Sequence, residues 1–101
     1  MTEYDIYVPA TRADGAPIDE TLLDQIKRAL ADAFGGYTHL THHSEGAWRI
    51  AGATFREAVT IIRVLDDGTA AFDMTAYKQN LQTLLGESKI LIIAREVYQV
   101  G

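Results

Sequence analysis

Tyr4 to Pro9 alternates, with Tyr4, Ile6 and Val8 on one side and Asp5, Tyr7 and Pro9 on the other. A period of two built from β-branched and aromatic residues predicts a strand. Ala10 to Pro17 is a polar loop with Asp14-Gly15 as its turn signal. The period then changes. Leu22, Leu23, Ile26, Ala29, Leu30, Ala33 and Phe34 recur at helical spacing and predict one apolar stripe. Asp19 is placed to cap that helix, because its carboxylate can accept from free N–H groups of the first turn. Ile18 and Leu23 can form a hydrophobic staple across the cap. Gly35-Gly36 ends the helix, since one residue there must enter the left-handed region.

Tyr37 to His43 reads as a second strand, turned by Ser44-Glu45-Gly46. Ala47 to Ile50 is a short extension, and Gly52 to Thr54 reads as irregular. Phe55 to Leu65 makes a long third strand whose near-continuous apolar content predicts a central position. The lone Arg63 within it means that one face is not sealed, or that its head reaches the rim. Asp66-Asp67-Gly68 is a loop. A second helix is expected from about Ala70 to Leu85, with Met74, Tyr77, Leu81, Leu84 and Leu85 buried and Gly86 as its stop. Lys89 to Val100 is the last strand. Its second half alternates, so it is expected to run past the sheet toward another subunit.

Strand, helix, strand, strand, helix, strand is the order of an α+β fold. The expectation is a ferredoxin-like βαββαβ sandwich, a four-stranded antiparallel sheet with two helices on one face, as a single domain over residues 1–101. The other sheet face is then left bare. Bare apolar faces are normally covered, so a homodimer or homotrimer is expected.

Composition narrows the function classes. The hydrophobic fraction of 48% with 23% charged residues fits a globular domain rather than a disordered one. With no cysteine, disulfides and thiolate metal sites are excluded. No apolar run approaches a membrane span, and the N-terminus lacks the pattern of a signal peptide, so a cytoplasmic protein without a membrane partner is expected. The net charge is −5. No Lys/Arg run is present to follow a phosphate backbone, so no nucleic-acid partner is expected. A small anionic ligand could still meet a local arginine pocket, with Arg49 and Arg56 as candidates.

The candidate chemistry lies between Phe34 and Glu57. That stretch holds all three histidines, the only tryptophan and four of the eight glycines. His39-x-x-His42-His43 looks like a metal cluster, but on a strand His42 points away from the other two. The spacings of structural zinc are absent, so no metal and no cofactor are expected. No Gly-x-Ser-x-Gly elbow exists to support a nucleophilic triad. Gly35-Gly36 follows a helix, whereas phosphate-binding glycines precede one. Glu57 opens the long apolar strand. A carboxylate at such a boundary is either solvated or partly desolvated, and desolvation would suit it to proton transfer. Trp48, in a Gly-flanked polar loop, is either tucked over the core edge or a platform for a cationic ligand.

Phe34-Gly35-Gly36-x-Thr38, then Gly46-x-Trp48, then Glu57 before an apolar strand, resembles a pattern in small bacterial proteins. More distantly it is similar to the phage-type S-adenosylmethionine lyases, which have a PII-like, ferredoxin-like trimeric fold. The matching residues are Gly46, Trp48, Arg49 and Glu57, with Trp48 where a tyrosine is usual. The resemblance implies a sulfonium nucleotide bound between subunits, with Glu57 as the catalytic residue and Trp48 as the aromatic. The expected ligand-binding set is Tyr37, Thr38, Trp48, Arg49 and Arg56. It implies release of methylthioadenosine and homoserine lactone. Two readings stand open: a nucleotide-binding lyase, and a non-catalytic regulatory ligand-binding or assembly module.

Overall fold

The computed structural model describes residues 1–10, 14–42, 48–50, 53–55, 59–86 and 90–101, with backbone alone for 42, 48–50 and 53–55. The N-terminal alternation becomes strand β1 (Thr2–Pro9), followed by helix α1 (Glu20–Phe34) and strand β2 (Thr38–His42). Two short strands, β3 (Trp48–Ile50) and β4 (Ala53–Phe55), come next. Strand β5 (Val59–Asp66), helix α2 (Met74–Leu85) and strand β6 (Leu91–Glu96) complete the chain.

The main sheet has the order β2-β5-β1-β6, with every neighbour antiparallel. Both helices contribute to one core with Ile6, Val8, Ile62 and Val64, and so lie on one face of the sheet. The architecture is α+β and consistent with a ferredoxin-like sandwich. It departs from the bare six-element order in one respect. The stretch read as irregular at Gly52 to Thr54 contains β4, which pairs with β3 as a separate two-stranded ladder through Trp48–Phe55, Arg49–Thr54 and Ile50–Ala53. Phe55 therefore ends β4 and does not begin the long strand, which starts at Val59. Three residues are too short a run for period-two alternation to register in sequence.

The helix termini form as side-chain chemistry requires. Asp19 stays extended and its carboxylate accepts from Leu22 N at 2.8 Å. Gly35 takes φ 82°, and its N–H closes the last turn on Ala31 O at 2.8 Å. The buried stripe of α1 narrows to Leu22, Ile26 and Leu30, one residue per turn. Helix α2 begins at Met74 rather than near Ala70, because Asp73 accepts from Ala76 N at 3.0 Å and fixes the first turn there. Leu81 and Leu85 are buried, while Leu84 is 48% exposed, contrary to expectation. At helical pitch Leu84 sits about 60° from Leu81, on the flank of the stripe in the last turn. Strand β6 stops at Glu96, short of Val100. Its partner β1 begins at Thr2, opposite Glu96, and only one further bond, Val97 N to Met1 O at 2.9 Å, continues the ladder. Tyr98 and Val100 are exposed beyond it.

Four rings close one end of the sandwich. Tyr4, Phe34, Phe72 and Tyr77 follow one another with centroid separations of 6.3, 5.2 and 5.2 Å. They tie β1 to α1, to the segment before α2, and to α2 itself. Phe34 is also the last residue of α1, so the chain leaves that anchored end directly into the connection to β2.

Candidate functional site

Cross-strand register places every odd-numbered residue of β1 on the face away from the helices. There Asp5 is flanked by Arg63 and Ile93, Tyr7 by Ile61 and Leu91, and Glu3 by Leu65 and Arg95. The face expected to be apolar is therefore divided. Tyr7, Leu40, Ile61, Leu91 and Ile93 are apolar and buried or half-buried, and Glu3, Asp5, Arg63 and Arg95 form a charged cluster beside them.

Asp5 is the centre of that cluster and only 1% exposed. The Arg63 fork grips it, Nε donating to Oδ1 at 2.8 Å and Nη2 to Oδ2 at 3.1 Å. Arg95 Nη1 donates to Asp5 Oδ2 and to Glu3 Oε1, both at 2.9 Å. Arg63 Nε also lies 3.4 Å from Glu3 Oε1. Burial by itself would push the Asp5 carboxyl up, but hydrogen bonds and charge from the two arginines outweigh it and hold it below its ordinary 3.8. Both guanidiniums are raised further above their usual range, chiefly by the hydrogen bond to Asp5. A buried carboxylate is tolerable only when paired in this way. Arg63, the lone charge in its apolar strand, thus belongs to a partly open face, with its side chain 37% exposed.

The cavity arises beside this cluster from a difference in strand length. Strand β2 begins at Thr38, opposite Arg63, whereas β5 continues through Val64, Leu65 and Asp66. Past Arg63 the outer edge of β5 has no partner strand among the described residues. The connection leaving α1 skirts this gap and leaves a cavity of about 260 Å³. Phe34, Gly35, Gly36, Tyr37 and Thr38 line it from the connection, Val64 and Leu65 from β5, and Glu3 and Arg63 supply its charges. Tyr37 is 44% exposed, so its ring is available to a ligand.

Of the residues expected to bind a ligand, Tyr37 and Thr38 meet in this cavity. Trp48 and Arg49 lie in β3, opposite Phe55 and Thr54, where only backbone is described. Arg56 and the expected catalytic Glu57 lie outside the described residues, as do His43 and Glu45. His39 pairs with Ile62 on edge strand β2 and is exposed. Glu3 and Arg63, which also line the cavity, were not among the residues expected there. The signal available for them was an acid at alternate positions of an otherwise apolar strand, and one arginine inside an apolar run. Comparison of the chain with protein-family models, curated proteins and solved structures finds no match.

Proposed function

We propose that this domain is a small-molecule-binding module, self-associating, that seats a nucleotide-type ligand in the cavity where β5 outruns β2. The observation that carries the reading is that Tyr37 and Thr38 line one cavity with the half-exposed Arg63 guanidinium. An exposed aromatic face stacks on a base for roughly 1–3 kcal/mol. Thr38 adds a hydroxyl, and Arg63 adds N–H donors whose direction the Asp5 grip fixes. The cavity is slightly smaller than the roughly 300–1,000 Å³ of enclosed ligand sites, which supports a site completed by a second copy. Half-buried Leu40, Ile61, Leu91 and Ile93 offer that copy apolar surface to cover.

The catalytic form of this reading rests on Glu57 and on S-adenosylmethionine as the ligand. The methionine carboxylate would attack its own γ-carbon as the C–S bond breaks, and the sulfonium would take the electron pair to become a neutral thioether. Holding the carboxylate against the carbon is the protein's main task in such a reaction. Calorimetric titration with S-adenosylmethionine and methylthioadenosine, paired with a mass measurement in solution, tests the binding reading. We expect saturable binding by an oligomer and its loss in Tyr37→Ala. A monomer with no binding heat at millimolar ligand would refute it. Product analysis after incubation separates the two forms: methylthioadenosine that disappears in Glu57→Gln supports the lyase, and binding without turnover supports the sensor.

A further inference from the structure

We infer that two copies of this chain join edge to edge through β6, antiparallel and about a two-fold axis at Ala94, so that their two sheets become one. This rests on the self-association in the reading above and goes beyond it in naming the surface; it does not depend on the ligand. In the order β2-β5-β1-β6, strand β6 is an edge, with no partner strand on its outer side among the described residues. Val97 N–H donates to Met1 O at 2.9 Å, which continues the β1–β6 register by one place. In an antiparallel ladder, pairs that exchange bonds alternate with pairs that do not. Leu91, Ile93 and Arg95 therefore turn their backbone groups toward β1, and Ile92, Ala94 and Glu96 turn theirs outward. A two-fold axis at Ala94 sets Ala94 against the partner's Ala94, and Ile92 against the partner's Glu96. Each outward N–H of the strand then meets an outward carbonyl of the other copy.

Edge strands are ordinarily guarded by proline, a bulge or a charge. From Leu91 to Val100 there is neither proline nor glycine, and the pairing with β1 runs without a bulge. The Arg95 charge is committed to Glu3 and Asp5 of its own chain, and Glu96 accepts from Thr2 Oγ1 at 3.2 Å. The opposite edge differs, since β2 exposes Thr38, His39 and Thr41. The segment past β6 is an independent sign. Val97 to Val100 keeps its alternation although β1 begins only opposite Glu96, and Tyr98 and Val100 are 87% and 98% exposed. The Ala94 axis lays Val97 beside the partner's Leu91 and Tyr98 beside the partner's Ile90, which supplies the strand this segment lacks. An axis at Arg95 or Glu96 would set like charges face to face. One at Ile93 would carry Val97 past the start of the partner's β6. The contact uses the edge alone, so it leaves open the apolar face and the cavity, which lies toward the other edge of the sheet.

The test is sedimentation velocity of the full chain over a concentration series, together with the variants Ala94→Lys and Ala94→Cys. Ala94 is exposed, so neither variant disturbs the core, and circular dichroism checks each fold. The unaltered chain should dimerise as its concentration rises. Ala94→Lys sets two ammonium groups face to face at the axis and should raise the dimer dissociation constant about fivefold or more. The chain has no cysteine, so Ala94→Cys introduces the only thiol. Bond-exchanging partners stand about 5.5 Å apart at Cα, within disulfide range. Mild oxidation should therefore link this variant into covalent dimers, whereas Thr41→Cys on the opposite edge should stay unlinked. A monomer at every concentration overturns the inference, and ligand titration of the same samples then judges the cavity separately. An oligomer indifferent to Ala94→Lys also overturns it, and leaves self-association to the apolar face. So does equal cross-linking of the two cysteine variants.

Discussion

Asp5→Asn isolates the value of one buried charge with almost no change of shape. Three donors converge on the Asp5 carboxylate: Arg63 Nε on Oδ1, and Arg63 Nη2 with Arg95 Nη1 on Oδ2. An amide has one acceptor oxygen, so in either orientation its NH₂ faces at least one guanidinium donor. The variant loses one charge-assisted bond outright and weakens the others, for a gross loss of about 1.5–3 kcal/mol per bond. The arginine side chains are 37% and 41% exposed, so water recovers part of that. A net loss of about 2 kcal/mol follows, or a fall in Tm of about 8–16 °C for a chain of this size. The pH dependence gives an independent check. The native carboxyl lies below its ordinary 3.8, so above 3.8 both folded and unfolded chains carry the ionised group and its stabilisation is complete. Below 3.8 the unfolded chain takes up the proton first, and the stabilisation is lost as pH falls through the native value. The asparagine variant has no such group. Urea unfolding of both proteins, followed by circular dichroism from neutral to strongly acidic pH, should show a gap that narrows only below 3.8. A gap under about 0.5 kcal/mol at neutral pH, the range of ordinary surface substitutions, would refute the reasoning. So would a gap that stays constant into strong acid.

Two other perturbations probe the helices. Leu81 is 2% exposed and Leu84 is 48% exposed, one turn along the same helix. Leu81→Ala should cost about 2–5 kcal/mol in guanidinium unfolding, and Leu84→Ala well under half of that; equal losses would contradict the assigned face of α2. Burial pushes the Tyr77 phenol up to about 12 from its usual 10.0. In an ultraviolet titration one tyrosine should therefore ionise late, and Tyr77→Phe should remove that step. The unfolded phenol ionises first, so this group's contribution to stability is complete below 10.0 and declines as pH rises toward 12. A titration in which all tyrosines ionise together would count against the ring cluster.

Local chemistry explains which elements could be read from sequence. Asp19, Gly35 and Gly86 act through neighbours within a few residues, so the helix ends they set were legible. The start of α2 carried the same signal at Asp73, but helix-compatible Ala70, Ala71 and Phe72 masked it. The end of β6 was illegible for a different reason. The alternation of Val97 to Val100 is real, yet a strand needs a partner, and the partner begins at Thr2. The site divides the same way. Tyr37 and Thr38 are contiguous with the glycine signal that ends α1, and they reach the cavity. Glu3 and Arg63 are sixty positions apart in sequence. They meet because β1 and β5 pair in a register that period-two alternation cannot specify.

The unequal reach of β2 and β5 has a meaning for how the chain could change. Three residues of β5 extend past Thr38, a length of about 10 Å at ordinary strand rise. The cavity is therefore bounded by where one helix stops and how soon the next strand begins. Its depth is adjustable by insertion or deletion in the connection around Gly36, one residue at a time, while the Asp5 cluster and the helix core stay as they are. The connection around Gly36 thus sets the depth of the cavity, while Phe34 and Val64 tie its other walls to the core, and Glu3 and Arg63 tie them to the Asp5 cluster.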